Sequence, residues 1–203
     1  MNPVTHFLAG WTLAASAPIE RRERALVALA GVAPDVDGLG LVVDVLTAHS
    51  ANPTELWGRF HHVLGHNLGF GLALSCVAWM LARRRIRTAL LVLLSFHLHL
   101  IGDLVGARGP DGEQWPFSYL TPFSERWIWI WSGQWALNAW PNVLLTVALL
   151  GASFWLAWRY ALSPLELVSD RANRALLATL RARFGTPRHG LGAGSATGRG
   201  IAP

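Results

Sequence analysis

Three apolar runs dominate the chain, at residues 63–82, 88–105 and 142–158. Each approaches the roughly 17–25 residues that a helix needs to cross a bilayer. Inside lipid every backbone N–H and C=O must find a partner within the fold, which a helix supplies within its own segment. Composition agrees, because 14% charged residues falls well below the roughly 25% of an ordinary soluble domain. Two shorter apolar segments, about 5–18 and 24–34, span only about 21 Å and 17 Å at 1.5 Å per residue and read as a tilted or half-inserted hairpin. The expected fold is all-α, a polytopic membrane bundle of about four to five apolar helices with a C-terminal amphipathic helix.

All 17 basic residues are arginine, and they cluster in turns between apolar runs: "RRER" at 21–24, "RRRIR" at 83–87, then scattered arginines after 159. Short basic turns of this kind stay cytoplasmic under the positive-inside rule. A nucleic-acid binder would instead gather its charge into a basic face or stripe, so nucleic acid is not an expected partner and the lipid bilayer is. "AASA" at 14–17 has no basic segment before it, so the first run is expected to be retained rather than cleaved.

Residues 106–141 hold six tryptophans among Gly and Pro, which suits an interfacial loop or a short helix at headgroup depth. "SPLELVSDRANRALLATLRARF" then reads as an amphipathic helix starting at Ser163 or Pro164, and the Gly-rich end lacks periodicity. The expected organisation is a membrane-embedded unit over 1–162, a cytoplasmic helix over 163–184 and a disordered tail over 185–203.

Against this apolar background, "HHVLGHN" at 61–67 and "HLHLIGD" at 97–103 place imidazoles and a carboxylate where lipid penalises them. Folding the second hairpin at its arginine turn puts His66, about 25 Å from Arg83, level with Asp103, about 24 Å from Arg87. His99 shares the helical face of Asp103 at i to i+4. His97 projects to nearly the opposite face and is expected to pack, or to donate to a nearby carbonyl. In the first hairpin, His6 falls level with Asp35 and Asp37 of "PDVDG", where Pro34 and Gly38 mark a helix ending in a loop. Two hairpins with their arginine turns on one face bring these groups together at the other face. A divalent cation would neutralise the acids and occupy the imidazole lone pairs together. Mixed imidazole and carboxylate donors suit zinc, with manganese, iron or nickel as alternatives; the number of donors allows two ions, bridged by Asp103 or Asp37. Helical spacing alone would pair His62 with His66.

The ordered set of "TH", "PDVDG", "HHVLGHN", "HLHLIGD" and "QWPFSYLTPFS" resembles the YdjM-type family of inner-membrane metal-dependent hydrolases over about residues 1–160. The resemblance implies a multi-helix membrane protein of the bacterial inner membrane with a hydrolytic metal site. It assigns ligand roles to His61 and His66, to His99 and Asp103, and to Asp35 and Asp37. The chain departs from the family pattern with His62 in place of an Arg and Asn67 in place of a Ser. We expect the helix to begin near His62, with His61 in the entry segment and with His62 and Asn67 supporting the ligands or, for His62, replacing the Arg. The ligand set is also similar to that of zinc-dependent phospholipase C, as an analogy of sites alone.

The expected activity is hydrolysis, an activated water attacking an ester or phosphoester of a lipid-like substrate on the extracytoplasmic side, with Asp37 or Asp35 as ligand or base (Asp37 being the residue expected to be catalytic) and the Trp-rich loop as cover. A transporter with a His/Asp relay predicts ionisable groups strung through the bilayer. Haem ligation and a structural, non-catalytic metal site are further alternatives.

Overall fold

The computed structural model describes residues 1–109 and 111–187. The expected tail lies almost entirely outside the described residues. The regular structure of the described residues is helical apart from one pair of two-residue strands, in the order α1 (Pro3–Ala15), α2 (Arg21–Ala30), a 3₁₀ segment (Ala33–Leu39), α3 (Gly40–Thr47), α4 (Leu56–Phe60), α5 (Leu68–Leu81), α6 (Arg85–Gly106), β1 (Phe117–Ser118), β2 (Ile128–Trp129), α7 (Trp140–Tyr160), a 3₁₀ turn (Pro164–Leu167) and α8 (Asp170–Phe184). The all-α expectation holds.

Helix α6 is the central element. Its buried positions Thr88, Val92, Ser95, Phe96, His99, Asp103 and Gly106 recur every three or four residues, so they form one stripe along the axis. The lower part of that stripe packs with Ala14, Val27, Ala30 and Ala78 of the surrounding helices and with Ile19 of the turn between α1 and α2. Nearer its C-terminus, Phe96 and Leu100 pack on Phe117 of β1. Helix α5 crosses closely, because a Cβ at Gly71 would stand 2.5 Å from the Phe96 ring.

Among the described residues two helices, α6 and α7, are long and apolar enough to cross a membrane; a third span is formed if α2 and the segment Ala33–Thr47, bent by 49°, count as one. The second apolar segment ends as α2 at Ala30 and, where the bent pair is counted as one span, continues past residue 34 into α3. Every side chain of α3 is at least partly exposed, including Leu46 at 78%, as expected for a helix surrounded by apolar solvent. No sequence expectation covers residues 40–60. They fold back through Asp44, whose carboxylate accepts from Leu56 N, Trp57 N and the Thr54 hydroxyl.

Helix α5 does not begin near His62. It starts at Leu68, where the Asn67 side chain accepts from Phe70 N, an N-cap that leaves residues 61–67 irregular. The backbone explains the delay. His62 has φ +64°, and Gly65 lies so close to Pro34 that a Cβ would collide with the Pro34 carbonyl. With 14 residues, α5 is only about 21 Å long, short of a bilayer's hydrocarbon core of about 30 Å.

The Trp-rich segment also differs from expectation. Phe117 and Ser118 pair antiparallel with Trp129 and Ile128, and the hairpin folds inward over the end of the bundle, burying Phe117 to 1% exposure. Its following residues cap α6: Gln134 Nε2 donates to Asp103 O (2.7 Å) and Asn142 Nδ2 to Gly106 O (2.8 Å), satisfying carbonyls that a helix end leaves free.

The C-terminal helix starts later than expected. Pro164–Leu167 is a 3₁₀ turn, and α8 begins at Asp170 with Ser169 accepting from Ala172 N. Glu166 in that turn takes both Arg24 Nε (2.6 Å) and Nη2 (2.8 Å). This bidentate pair fixes the turn to α2, so the helix restarts beyond it.

Candidate metal centre

The site lies at the bundle end opposite the arginine turns. Helix α1 supplies His6, the 3₁₀ segment supplies Asp35 and Asp37, the irregular entry to α5 supplies His61, His62 and His66, and α6 supplies His99 and Asp103. Four residues, Asp35, His66, His99 and Asp103, each offer a ligand atom such that all four atoms lie within 4.8 Å of one another.

Their hydrogen bonds define which atoms face inward. His99 Nδ1 stands 2.9 Å from the Gly31 carbonyl oxygen; a carbonyl only accepts, so Nδ1 carries the proton and Nε2 presents a lone pair. His66 Nδ1 donates to Asp37 Oδ2 (3.0 Å), and its Nε2 also faces the group. The two Nε2 atoms are 3.1 Å apart, and Asp103 Oδ2 is 3.0 Å from the first and 3.4 Å from the second. Asp35 Oδ1 lies 3.8 Å from His99 Nε2, while its Oδ2 is buried without a partner. Lone pairs and carboxylate oxygens thus converge on one point, an arrangement that repels itself unless a cation sits among them.

Without a metal, a proton performs that role. Burial opposes charge on His66, but hydrogen bonds to Asp103 and Asp37 outweigh it and raise its pKa to about 9. A divalent ion fits the same place, since imidazoles whose second nitrogen is held by a carboxylate or carbonyl are the usual metal ligands.

The remaining expected residues take other places. His6 Nε2 donates to Asp103 Oδ1 (3.0 Å) and its ring lies 3.9 Å from that of His99; the Met1 amino group contacts the same oxygen. Asp37 is turned away from the four-residue group. One of its oxygens accepts from His61 Nδ1 (3.0 Å), the other from His66 Nδ1 and Gly65 N (both 3.0 Å). In a 3₁₀ segment residues two apart point about 240° apart, which separates Asp37 from Asp35. His61 stacks on Trp57 at 3.7 Å. His62 is buried with Nδ1 unpartnered, its ring 4.3 Å from His66 and 4.9 Å from Trp115; burial and the neighbouring His66 push its pKa down, so it is neutral. Asn67 caps α5. His97 is outside the cluster, donating to Leu93 O (2.7 Å) and accepting from the Tyr119 hydroxyl (2.8 Å).

Residues 1–178 match the family described as YdjM inner membrane protein. The chain belongs to that family. No curated protein and no solved structure matches it. The YdjM match includes every residue of the cluster and all of α1–α7, so the metal-site geometry lies wholly within the family's extent. Sequence reasoning missed four supports of this YdjM-family site: the Gly31 carbonyl behind His99, Gln134 and Asn142 at the end of α6, and Phe117, whose ring centroid is 6.1 Å from that of His66. A backbone carbonyl leaves no trace in residue identity; the two amides among apolar tryptophans were a readable signal.

Proposed function

We propose that this chain is a membrane-embedded metal-dependent hydrolase acting on an ester or phosphoester of a lipid-like substrate. The observation that carries the reading is the pair of His66 and His99 Nε2 atoms, each with its other nitrogen fixed, facing one another beside Asp103 and Asp35. Zinc is the ion that two imidazoles and two carboxylates suit best. A divalent cation there supplies Lewis acidity and draws the pKa of water down towards about 7.

The chain's own groups provide the rest. Asp37 holds the His61 Nδ1 proton, leaving His61 Nε2 as an acceptor at the wall of a cavity of about 470 Å³ that also reaches Asp35 and Asp103. A carboxylate-backed imidazole beside an acidic floor is equipped to take a proton from water. Asp37 thus acts through His61 and His66 rather than as a direct ligand. Leu39, Trp57, Trp115 and Leu137 supply the apolar wall, suited to an amphiphile whose polar bond sits over the acids. The arginine turns at the opposite bundle end support a bacterial inner-membrane orientation with the site facing the extracytoplasmic side.

The test is turnover by detergent-purified protein against carboxyl esters, phosphomonoesters, phosphodiesters and phospholipids, before and after chelation and zinc return. We expect hydrolysis that chelation abolishes and zinc restores, and that His61→Ala lowers while metal is retained. Full metal content with no turnover across the panel would overturn the catalytic reading and leave a structural ion.

A further inference from the structure

At the arginine-rich end, α7, α8 and the turn between them, with Leu8 of α1, border a series of open cavities that the metal site does not use. One, about 430 Å³, lies among Phe154, Trp155, Trp158, Leu180 and Phe184. A second, about 270 Å³, lies on the other side of Phe154 against Leu150, Leu165 and Leu176. Trp158 joins the first to a third cavity of about 590 Å³ bordered by Arg159, Tyr160 and Arg181. Two apolar grooves therefore share one aromatic ring, and the larger leads through Trp158 to a mouth with two guanidinium groups.

The depth of each part follows from α7. This helix is a candidate span, so Phe154 lies about 7.5 Å further into it than Arg159. That places the grooves at acyl depth and the arginines with Trp158 and Tyr160 at headgroup depth, where aromatic belts form. Among the described residues neither Arg159 nor Arg181 has a carboxylate within ion-pair distance, whereas Arg21, Arg24 and Arg83 each do. The walls are anchored: Trp158 Nε1 donates to Gly185 O (2.9 Å), Ser163 bonds Asn173 (2.8 Å) and Arg21 bonds Asp170 (2.5 Å).

We infer that the α7–α8 junction is a binding site for one anionic phospholipid, its two acyl chains on either side of Phe154 and its phosphate between Arg159 and Arg181. The charge at the mouth selects an anionic headgroup, and the grooves require tails. Each arginine near an anionic headgroup contributes roughly a factor of five in affinity.

Native mass spectrometry of the detergent-solubilised full chain tests this with phosphatidylglycerol, phosphatidylcholine and glycerol 3-phosphate. Phosphatidylglycerol is expected to bind at least about tenfold more tightly than phosphatidylcholine. An Arg159→Gln, Arg181→Gln double variant removes that preference while helicity and metal content stay unchanged. Trp155→Ala with Phe184→Ala weakens both lipids. Equal binding of the two lipids, or a preference that survives the double arginine variant, overturns the site. Displacement by glycerol 3-phosphate at the same concentration as lipid overturns the role of the grooves.

Discussion

Asp37 shows how little a residue's identity says about its task. From sequence it stands beside Asp35 as an equal candidate ligand, and only the 3₁₀ twist of the segment separates their directions. Its two oxygens take three donors, from His61, His66 and Gly65, so Asp37→Asn keeps the shape but loses the charge that orients both rings. Weakening of such an orienting partner lowers metal affinity by about 10–100-fold; titration calorimetry of the chelated variant with zinc checks it. The neighbouring His66 sets a pH dependence with a definite sign. Its pKa of about 9 means that the metal-free chain holds a proton there at pH 7, which an arriving ion must expel. Affinity should therefore rise roughly tenfold per pH unit between about pH 7 and 9 and then level off, and the heat measured in buffers of different ionisation enthalpy should report about one proton released.

Among the elements, the entry to α5 carries the largest difference from the sequence reading. The apolar run from 63 to 82 does not reveal that its first five residues are pulled out of the helix, because the cause is remote: Gly65 must pass against Pro34, 31 positions earlier. Asn67 was legible as a departure from the family pattern, but its meaning as an N-cap needed the start of the helix. By contrast α6 was readable almost to its bounds, since its buried stripe repeats within one continuous segment, and the His99–Asp103 step follows from that period alone. The hairpin over the site was not, because two residues of pairing leave no periodicity. Gly65→Ala should displace the loop, separate His66 from Asp37, and lower the thermal midpoint in detergent together with zinc affinity. A variant that stays as stable as wild type and binds zinc equally well would show that the close approach to Pro34 carries no constraint.

At the scale of the molecule, the bundle has two unlike ends. One gathers arginines and their acid partners, with Arg24 and Glu166 tying α2 to the turn before α8. The other gathers acids and imidazoles from three separate stretches of chain into one largely buried cluster. Hairpin topology was enough to foresee that separation, because antiparallel helices of similar length with basic turns at one end must bring their other termini together. The depth of each helix was not foreseen, as the short α5 and the bent α2–α3 segment show. The convergence of donors on a single point is the claim from which the rest follows, and elemental analysis of detergent-purified protein tests it directly. Wild-type chain should carry at least about one zinc or comparable divalent ion, and a His99→Ala, Asp103→Ala double variant of unchanged helicity should carry none. A wild-type chain purified without metal that takes up none when zinc is supplied, or a double variant that keeps its full complement, would contradict the account.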